Sequence, residues 1–160
     1  MPARARSLPV AVALLAFAFV ACGGGGTPSS TPVKATPLAG TWAGQSWTAA
    51  TGRASPWPFE DGGERWIDVS ANAITCQDFA PEGQLIGTIP WHTGEAYDLG
   101  LTRNLTFVVR GDAGIENKVA FNGRVEVIAA PDAGVGTVRI RARFSDAFDV
   151  EGEVQLNVCD

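Results

Sequence analysis

The side chains that could do chemistry in this 160-residue chain are few: one histidine, three cysteines and some clustered carboxylates. His92, the only histidine, lies in Pro90–Gly94, a segment with the composition of a loop. A catalytic imidazole needs a nucleophile on one side and an orienting acid on the other. Neither is identifiable, and the chain has no Gly-x-Ser-x-Gly motif. We therefore expect His92 to be an exposed loop residue and the protein not to be an enzyme.

Carboxylates cluster at two places, with Glu60, Asp61 and Glu64 in the first and Asp146 and Asp149 in the second. Paired carboxylates can hydrolyse glycosides, and acidic loops can bind calcium. The first cluster lacks the Asp-x-Asp-x-Asp-Gly spacing of a calcium loop and has the composition of an ordinary turn. A single histidine excludes a histidine-based metal cluster. We expect no cofactor and no metal.

The N-terminus has the features of a secretory signal peptide, predicted at residues 1–21. Arg4 and Arg6 precede an unbroken apolar run of twelve residues from Val10 to Ala21. A transmembrane helix needs about 20 such residues. The run therefore indicates export rather than a membrane span.

The signal ends in Phe19-Val20-Ala21-Cys22, which resembles the lipobox of bacterial lipoproteins. The cysteine of that motif takes up a diacylglycerol as a thioether, because a thiol is sufficiently nucleophilic. The resemblance implies that Cys22 is lipidated. It also implies the outer membrane of a Gram-negative cell, since Gly23 is not the Asp associated with inner-membrane retention. An ordinary signal peptide that leaves Cys22 as a thiol is the alternative.

Residues 22–36 are predicted to tether a single β domain at 37–160 to this anchor. Residues 23–32 contain only Gly, Thr, Ser and Pro and have almost no apolar surface to bury. As a coil, residues 23–36 would span roughly 20 Å. The domain would therefore stay close to the membrane, which is its first expected partner.

The charge of the exported chain restricts its other partners. Removal of the two arginines in residues 1–21 leaves 10 basic and 17 acidic residues, a formal net charge of −7. Such a charge argues against nucleic acid as a partner.

Once Cys22 is lipidated, Cys76 and Cys159 remain as an even pair. Disulfides persist in exported proteins, so we predict that these two cysteines form one. Closing a loop of more than 80 residues stabilises a fold by roughly 4 to 5 kcal/mol in the chain-entropy account. The bond would fasten the last strand. Two buried free thiols are the alternative.

From Leu38 onward, short alternating runs are interrupted by Gly, Pro and Asp, which is typical of antiparallel β structure. A hairpin is expected across Gly40–Trp47 with its turn at 43–45, and a short helical turn is allowed only within Ala71–Phe79. Further strands are expected at Arg65–Ser70, Leu85–Ile89, Tyr97–Leu101, Leu105–Val109 and Val119–Ala129, followed by two long C-terminal strands.

The two C-terminal strands allow a prediction of register, because core-facing residues must oppose each other. Pairing Phe144 with Val150 across a five-residue loop satisfies this condition. The same register places Arg143 opposite Glu151, Arg141 opposite Glu153 and Arg139 opposite Gln155. These pairs favour a solvated, charge-paired face over an anion-binding stripe.

Strands with one apolar and one charged face cover a core on one side only. We therefore predict an all-β fold, an antiparallel β-sandwich of about eight strands. The alternative is a small closed β-barrel. In its favour, Gly40-Thr41-Trp42 resembles the Gly-x-Trp opening of lipocalins, whose eight-stranded barrels bind small apolar ligands.

Five tryptophans are many for this length, and core packing is expected for at least three of them. Trp57, between two prolines, and Trp91, after Pro90, lie in predicted loops. These two are expected to be exposed, and they mark the first place to look for a binding surface.

The overall layout resembles small Gram-negative lipoproteins of unknown function in which a lipobox and a tether precede one β domain. That resemblance implies no reaction. We expect a non-catalytic module with a structural or interaction role at the cell envelope, with an envelope protein or a glycan as its partner. A module that binds a small molecule or a glycan is the alternative.

Overall fold

The computed structural model describes residues 31–57, 63–77 and 83–160. These residues form eleven strands and no helix, which confirms the all-β class. Within these ranges, therefore, no helix has the length and apolar character needed to cross a membrane. The strands are β1 Ala39–Trp42, β2 Gln45–Thr48, β3 Thr51–Pro56, β4 Glu64–Ser70, β5 Gln84–Pro90, β6 Ala96–Asp98, β7 Leu105–Gly111, β8 Gly114–Ala120, β9 Asn122–Ala129, β10 Gly134–Ser145 and β11 Phe148–Val158.

All eleven strands belong to one sheet that curls into a half-barrel. Its order is β6-β9-β10-β11-β3-β4-β5-β7-β8, and the β1–β2 hairpin pairs with β11. Every neighbouring pair is antiparallel except β11 and β3, which run parallel where Leu156–Val158 meets Gly52–Ala54. The sheet is therefore mixed, and the expectation of a purely antiparallel fold is wrong at this junction. Parallel strands need a long crossover, and most of the domain lies between these two in sequence.

Several predicted elements differ in detail from the observed ones. The Gly40–Trp47 hairpin is present, with a two-residue turn at Ala43 and Gly44, both at positive φ. The strand predicted at Val119–Ala129 is divided at Phe121 into the end of β8 and all of β9. β3 was missed because its sequence lacks a regular apolar alternation. No helical turn forms at 71–77, and residues 78 and 79 lie outside the described ranges.

The core is enclosed by the curled sheet and includes an aromatic cluster. Trp42 stacks on Trp47, with ring centroids 5.2 Å apart. Its ring also packs edge-on against Phe107 at 5.0 Å and Phe148 at 6.1 Å. Trp42, Trp47 and Trp91 are all buried, so the expectation of at least three core tryptophans is confirmed.

β10 and β11 form the predicted long hairpin, but the predicted register is wrong by two residues. Asp146 and Ala147 make a two-residue turn, and a bulge leaves Phe144 outside the pairing. Because the bulge changes which residues face inward, Phe148 is buried and Phe144 is 48% exposed. The sequence prediction placed Phe144 on the core face and Phe148 within the connecting loop.

The corrected register changes the partners of the arginine row. Arg139 Nε lies 3.0 Å from a Glu153 oxygen, and Arg141 Nη2 lies 2.7 Å from a Glu151 oxygen. Arg143 is opposite Asp149 in the pairing. The charge-paired face is therefore confirmed, although each predicted partner is replaced by the residue two positions earlier in β11.

Residues 31–36, predicted as part of the tether, lie against the outer face of the sheet. Arg141 donates hydrogen bonds to the carbonyl oxygens of Thr31 and Pro32, at 3.3 and 3.0 Å. Lys34 Nζ lies 2.9 Å from a Glu151 oxygen. Residues 31–36 of the predicted tether therefore contact the domain directly.

The same segment depends on a close backbone approach at Gly152. Gly152 has a φ of 147°, and a Cβ there would lie 2.5 Å from the carbonyl oxygens of Thr36 and Pro37. Glycine avoids both the clash and the strain of this conformation. Glu153 then exchanges backbone hydrogen bonds with Thr36 and Leu38.

Candidate functional site

The two tryptophans singled out from the sequence line one open groove of about 650 Å³. Four parts of the described chain line it. Pro56 is the last residue of β3, and Trp57 follows it. Residue 63 precedes β4, and residues 64–65 begin that strand. Residues 91–93 follow β5, and Ala130 and Asp132 lie in the connection between β9 and β10. Glu64 of the first predicted carboxylate cluster is at this groove, while Glu60 and Asp61 lie outside the described ranges.

Trp91 is part of the fixed wall of the groove. It is only 8% exposed, so the expectation of an exposed side chain is wrong. Its indole Nε1 donates a 2.9 Å hydrogen bond to the carbonyl oxygen of Pro131. The ring packs so closely on Gly136 that a Cβ there would lie 2.4 Å from it. The chain after Pro90 therefore turns this ring inward, where glycine leaves room for it.

Trp57 is half-buried rather than fully exposed. It stacks on Trp66 of β4, with centroids 5.1 Å apart and an interplanar angle of 14°. A second depression of about 470 Å³ is lined by Trp66, and Glu64 lines both depressions. The stacked pair therefore lies between two adjoining depressions, a relationship that the sequence did not reveal.

Arg65 is a groove residue that the sequence analysis missed. Its Nη1 donates a 2.7 Å hydrogen bond to the carbonyl oxygen of Cys159. The guanidinium carbon also lies 6.0 Å from the centroid of the Trp91 ring, within reach of a cation–π interaction. The alternation of β4 places Arg65 on the same face as the buried Ile67 and Val69. It does not indicate either contact of Arg65, because both partners come from distant parts of the chain.

The predicted disulfide is present and lies close to Arg65. Cys76 and Cys159 are joined by their sulfur atoms, with their Cα atoms 5.5 Å apart across a sequence separation of 83. The hydrogen bond from Arg65 to the Cys159 carbonyl thus connects the crosslink to the groove.

A buried ion pair lies under the segment that carries Cys76. Arg53 Nη2 is 3.2 Å from Asp68 Oδ2, and the same guanidinium donates to the carbonyl oxygens of Thr75 and Cys76 at 3.4 and 3.5 Å. Asp68 is 2% exposed. Its burial raises the pKa of the carboxyl above the ordinary value of 3.8, and the charge and hydrogen bond of Arg53 offset part of that rise.

His92 is an exposed residue of the groove, as expected. Its Nδ1 lies 3.5 Å from a Glu95 oxygen, and the two side chains are 66% and 38% exposed. The second carboxylate cluster is elsewhere, since Asp146 and Asp149 both pair with Arg143. In the part of the chain that the structure describes, no three His, Cys, Asp or Glu side chains are placed to hold a metal ion together.

Comparisons with known proteins supply no relative from which a function could be transferred. The chain matches no protein-family model, no curated protein and no solved structure at a significant level.

Proposed function

We propose that the protein is a lipid-anchored, non-catalytic binding module of the cell envelope, held in the outer membrane through Cys22. We further propose that the groove lined by Trp57 and Trp91 is its binding site. The observation that carries the binding role is the meeting of aromatic and polar side chains from four parts of the chain at one open groove. The lipobox ending at Cys22 supports the anchor.

The groove favours a glycan over a wholly apolar ligand. Sugar rings present an apolar face that packs on aromatic side chains and hydroxyl groups that bind polar ones. Trp57 supplies accessible aromatic surface and Trp91 the wall behind it, while Arg65, His92 and Asp132 supply donors and an acceptor. The adjoining depression beyond Trp57 and Trp66 would extend the site for a ligand of several sugar units.

A non-catalytic role is favoured by how the reactive side chains are engaged. Cys76 and Cys159 are consumed in the disulfide, so neither thiol is a nucleophile. Among the described carboxylates, His92 contacts that of Glu95, at 3.5 Å. An acid–base or triad mechanism needs a nucleophile next to such a pair.

Within the all-β class we retain the sandwich as the proposed architecture. Among the described strands, the two ends of the hydrogen-bonded order are β6 and β8, which do not pair with each other. A closed lipocalin-like barrel requires its edges to pair.

The binding role is tested by titrating the lipidated protein in detergent with oligosaccharide fragments of the bacterial envelope, followed by calorimetry. We expect saturable binding that Trp57→Ala weakens at least tenfold. Ile115→Ala removes an exposed apolar side chain from β8, outside the groove, and serves as the matched control. Equal binding by Trp57→Ala and the parent would contradict the assigned site.

The same samples separate the proposal from its rivals. Hydrolysis of a bound oligosaccharide, abolished by Glu64→Gln, would contradict the non-catalytic role. If no oligosaccharide binds and a photo-crosslinker placed at Thr93 captures an envelope protein in cells, the groove binds protein instead of glycan.

A further inference from the structure

The long strand β10 has one end at the groove and its other end at the turn that leads into β11. The connection between β9 and β10, with Asp132, belongs to the groove. The turn between β10 and β11, at Asp146 and Ala147, lies at the other end. β10 has twelve residues, so at about 3.3 Å per residue its ends are roughly 36 Å apart.

Two exposed aromatic side chains lie at the end opposite the groove. Phe121 is 43% exposed and Phe144 is 48% exposed. Arg143 of β10 is paired with Asn122 of β9, so Phe144 and Phe121, the residues next to this pair, lie at the same end of the sheet. Together they form what we call the phenylalanine end of the domain.

The first described residues of the chain lie nearer to this end of β10 than to the groove end. The Val33 amide lies 3.3 Å from a Glu126 oxygen, and Glu126 is paired with Arg139. Two residues earlier, Thr31 is bound by Arg141, which is two positions nearer to Phe144 along β10. Lys34, on the other side of Val33, contacts Glu151, which is paired with Arg141. Thr31, the first residue that the structure describes, therefore lies near Arg141, closer to the phenylalanine end of β10 than to the groove end.

The average span of the remaining chain to the anchor favours one end of the domain for contact with the membrane. Eight residues, 23–30, separate Cys22 from Thr31. As a coil they would span roughly 16 Å. Along β10, Phe144 is about 10 Å from Arg141, whereas Gly134 at the groove end is about 23 Å away. The average reach of the tether covers the first distance and falls short of the second.

We propose that the phenylalanine end lies against the bilayer in which Cys22 is anchored, with Phe121 and Phe144 in the lipid interface, so that the groove faces away from the membrane. This inference rests on the proposed anchor at Cys22. A short tether gives its domain an effective concentration of the order of mM at the surface, so a weak contact is sufficient. Arg143 is already paired with Asp146 and Asp149 there, so aromatic insertion rather than lipid charge carries the contact.

The orientation is tested with the lipidated full-length protein reconstituted in phosphatidylcholine vesicles whose acyl chains are brominated. Bromine quenches tryptophan emission at short range, and Phe144→Trp places a new reporter at the phenylalanine end. Val135→Trp is the matched control, because Val135 is 51% exposed and lies near the groove end of β10. We expect the emission added by Phe144→Trp to be quenched at least twofold and that added by Val135→Trp to be unchanged.

The outcomes distinguish this inference from the anchor itself. Flotation with the vesicles and the mass of Cys22 report the anchor, while quenching reports the orientation. An anchored protein whose two added tryptophans are quenched equally, or not at all, would overturn the orientation alone. A protein without lipid on Cys22 would overturn the anchor and the orientation together. An unquenched Phe144→Trp that forms a concentration-dependent dimer would assign the phenylalanine end to a second copy of the chain.

Discussion

Arg65 donates a 2.7 Å hydrogen bond to the carbonyl oxygen of Cys159, the penultimate residue of the chain. Since Cys159 is crosslinked to Cys76, the hydrogen bond from Arg65 links an arginine of the groove to the disulfide. The guanidinium also faces the Trp91 ring at 6.0 Å. Loss of the crosslink should therefore affect both the stability of the fold and the shape of the groove.

Removing the disulfide should lower the free energy of unfolding by about 4 to 5 kcal/mol, because the crosslink restricts a long loop in the unfolded chain. The change is Cys76→Ser combined with Cys159→Ser, and urea denaturation measures it. A reducing agent should destabilise the parent by a similar amount and leave the double variant unaffected. A decrease below about 1 kcal/mol would show that the crosslink contributes little.

The two phenylalanines at the β10–β11 turn should respond very differently to truncation. Phe148→Ala removes a ring that is 8% exposed and packs on Trp42 and Phe107, so we expect a loss of about 3 to 5 kcal/mol. Phe144→Ala removes a ring that is 48% exposed and should cost less than about 1 kcal/mol. Thermal and urea denaturation compare the two. The opposite order would support the register with Phe144 in the core.

Because of Asp68, the free energy of unfolding should fall as pH rises. An ordinary ion-paired carboxylate, whose pKa is lowered, has the opposite effect. Burial raises its pKa above 3.8, despite the opposing charge of Arg53. Between 3.8 and the raised pKa the folded state holds a proton that the unfolded state has released, so stability falls as pH rises through this window. The favourable contribution is complete only below pH 3.8.

The test subtracts the free energy of unfolding of Asp68→Asn from that of the parent at each pH from 3 to 7. We expect this difference to decrease as pH rises above 3.8, because asparagine does not titrate. The other carboxylates contribute equally to both proteins and cancel. A difference that increases with pH would mean that Arg53 outweighs burial and lowers the pKa of Asp68.

Glu151 should control how firmly residues 31–36 lie on the sheet. Burial opposes ionisation of this carboxyl, but hydrogen bonds from Arg141 and Lys34 hold its pKa below the ordinary value of 4.5. Its contribution is therefore complete above pH 4.5 and is lost as pH falls through the lowered pKa. Glu151→Gln should increase the amide exchange of residues 31–36 by about fivefold, as expected for a contact of about 1 kcal/mol.

Glu153→Gln is the matched control for this exchange measurement. It removes the charge opposite Arg139 on the same strand face but leaves the Lys34 contact with Glu151 intact. Equal exchange in both variants would show that general loss of negative charge, rather than the Glu151 contact, releases the segment. Acidification of the parent through the lowered pKa of Glu151, which lies below 4.5, should reproduce the effect of Glu151→Gln, after correction for the intrinsic pH dependence of exchange.

Some features of the site could be predicted because the responsible signals are local. Flanking prolines singled out Trp57 and Trp91, and both line the groove. The same signal gave the wrong exposure for Trp91, because the space that accepts its ring is provided by Gly136, 45 positions later. Arg65 could not be singled out, since its partners are Trp91 and the carbonyl of Cys159.

The amino-acid sequence by itself determined the all-β class, the apolar inward face of the two C-terminal strands except at Phe144, and the pairing of Cys76 with Cys159. Alternation of apolar and polar residues has a period of two, and the number of cysteines is independent of the fold. Only the tertiary structure decided the register of β10 against β11, the parallel junction of β11 with β3 and the position of residues 31–36 on the sheet. Each of these depends on where the chain turns and what space remains beside it, and no local pattern specifies the packing of segments so distant in sequence.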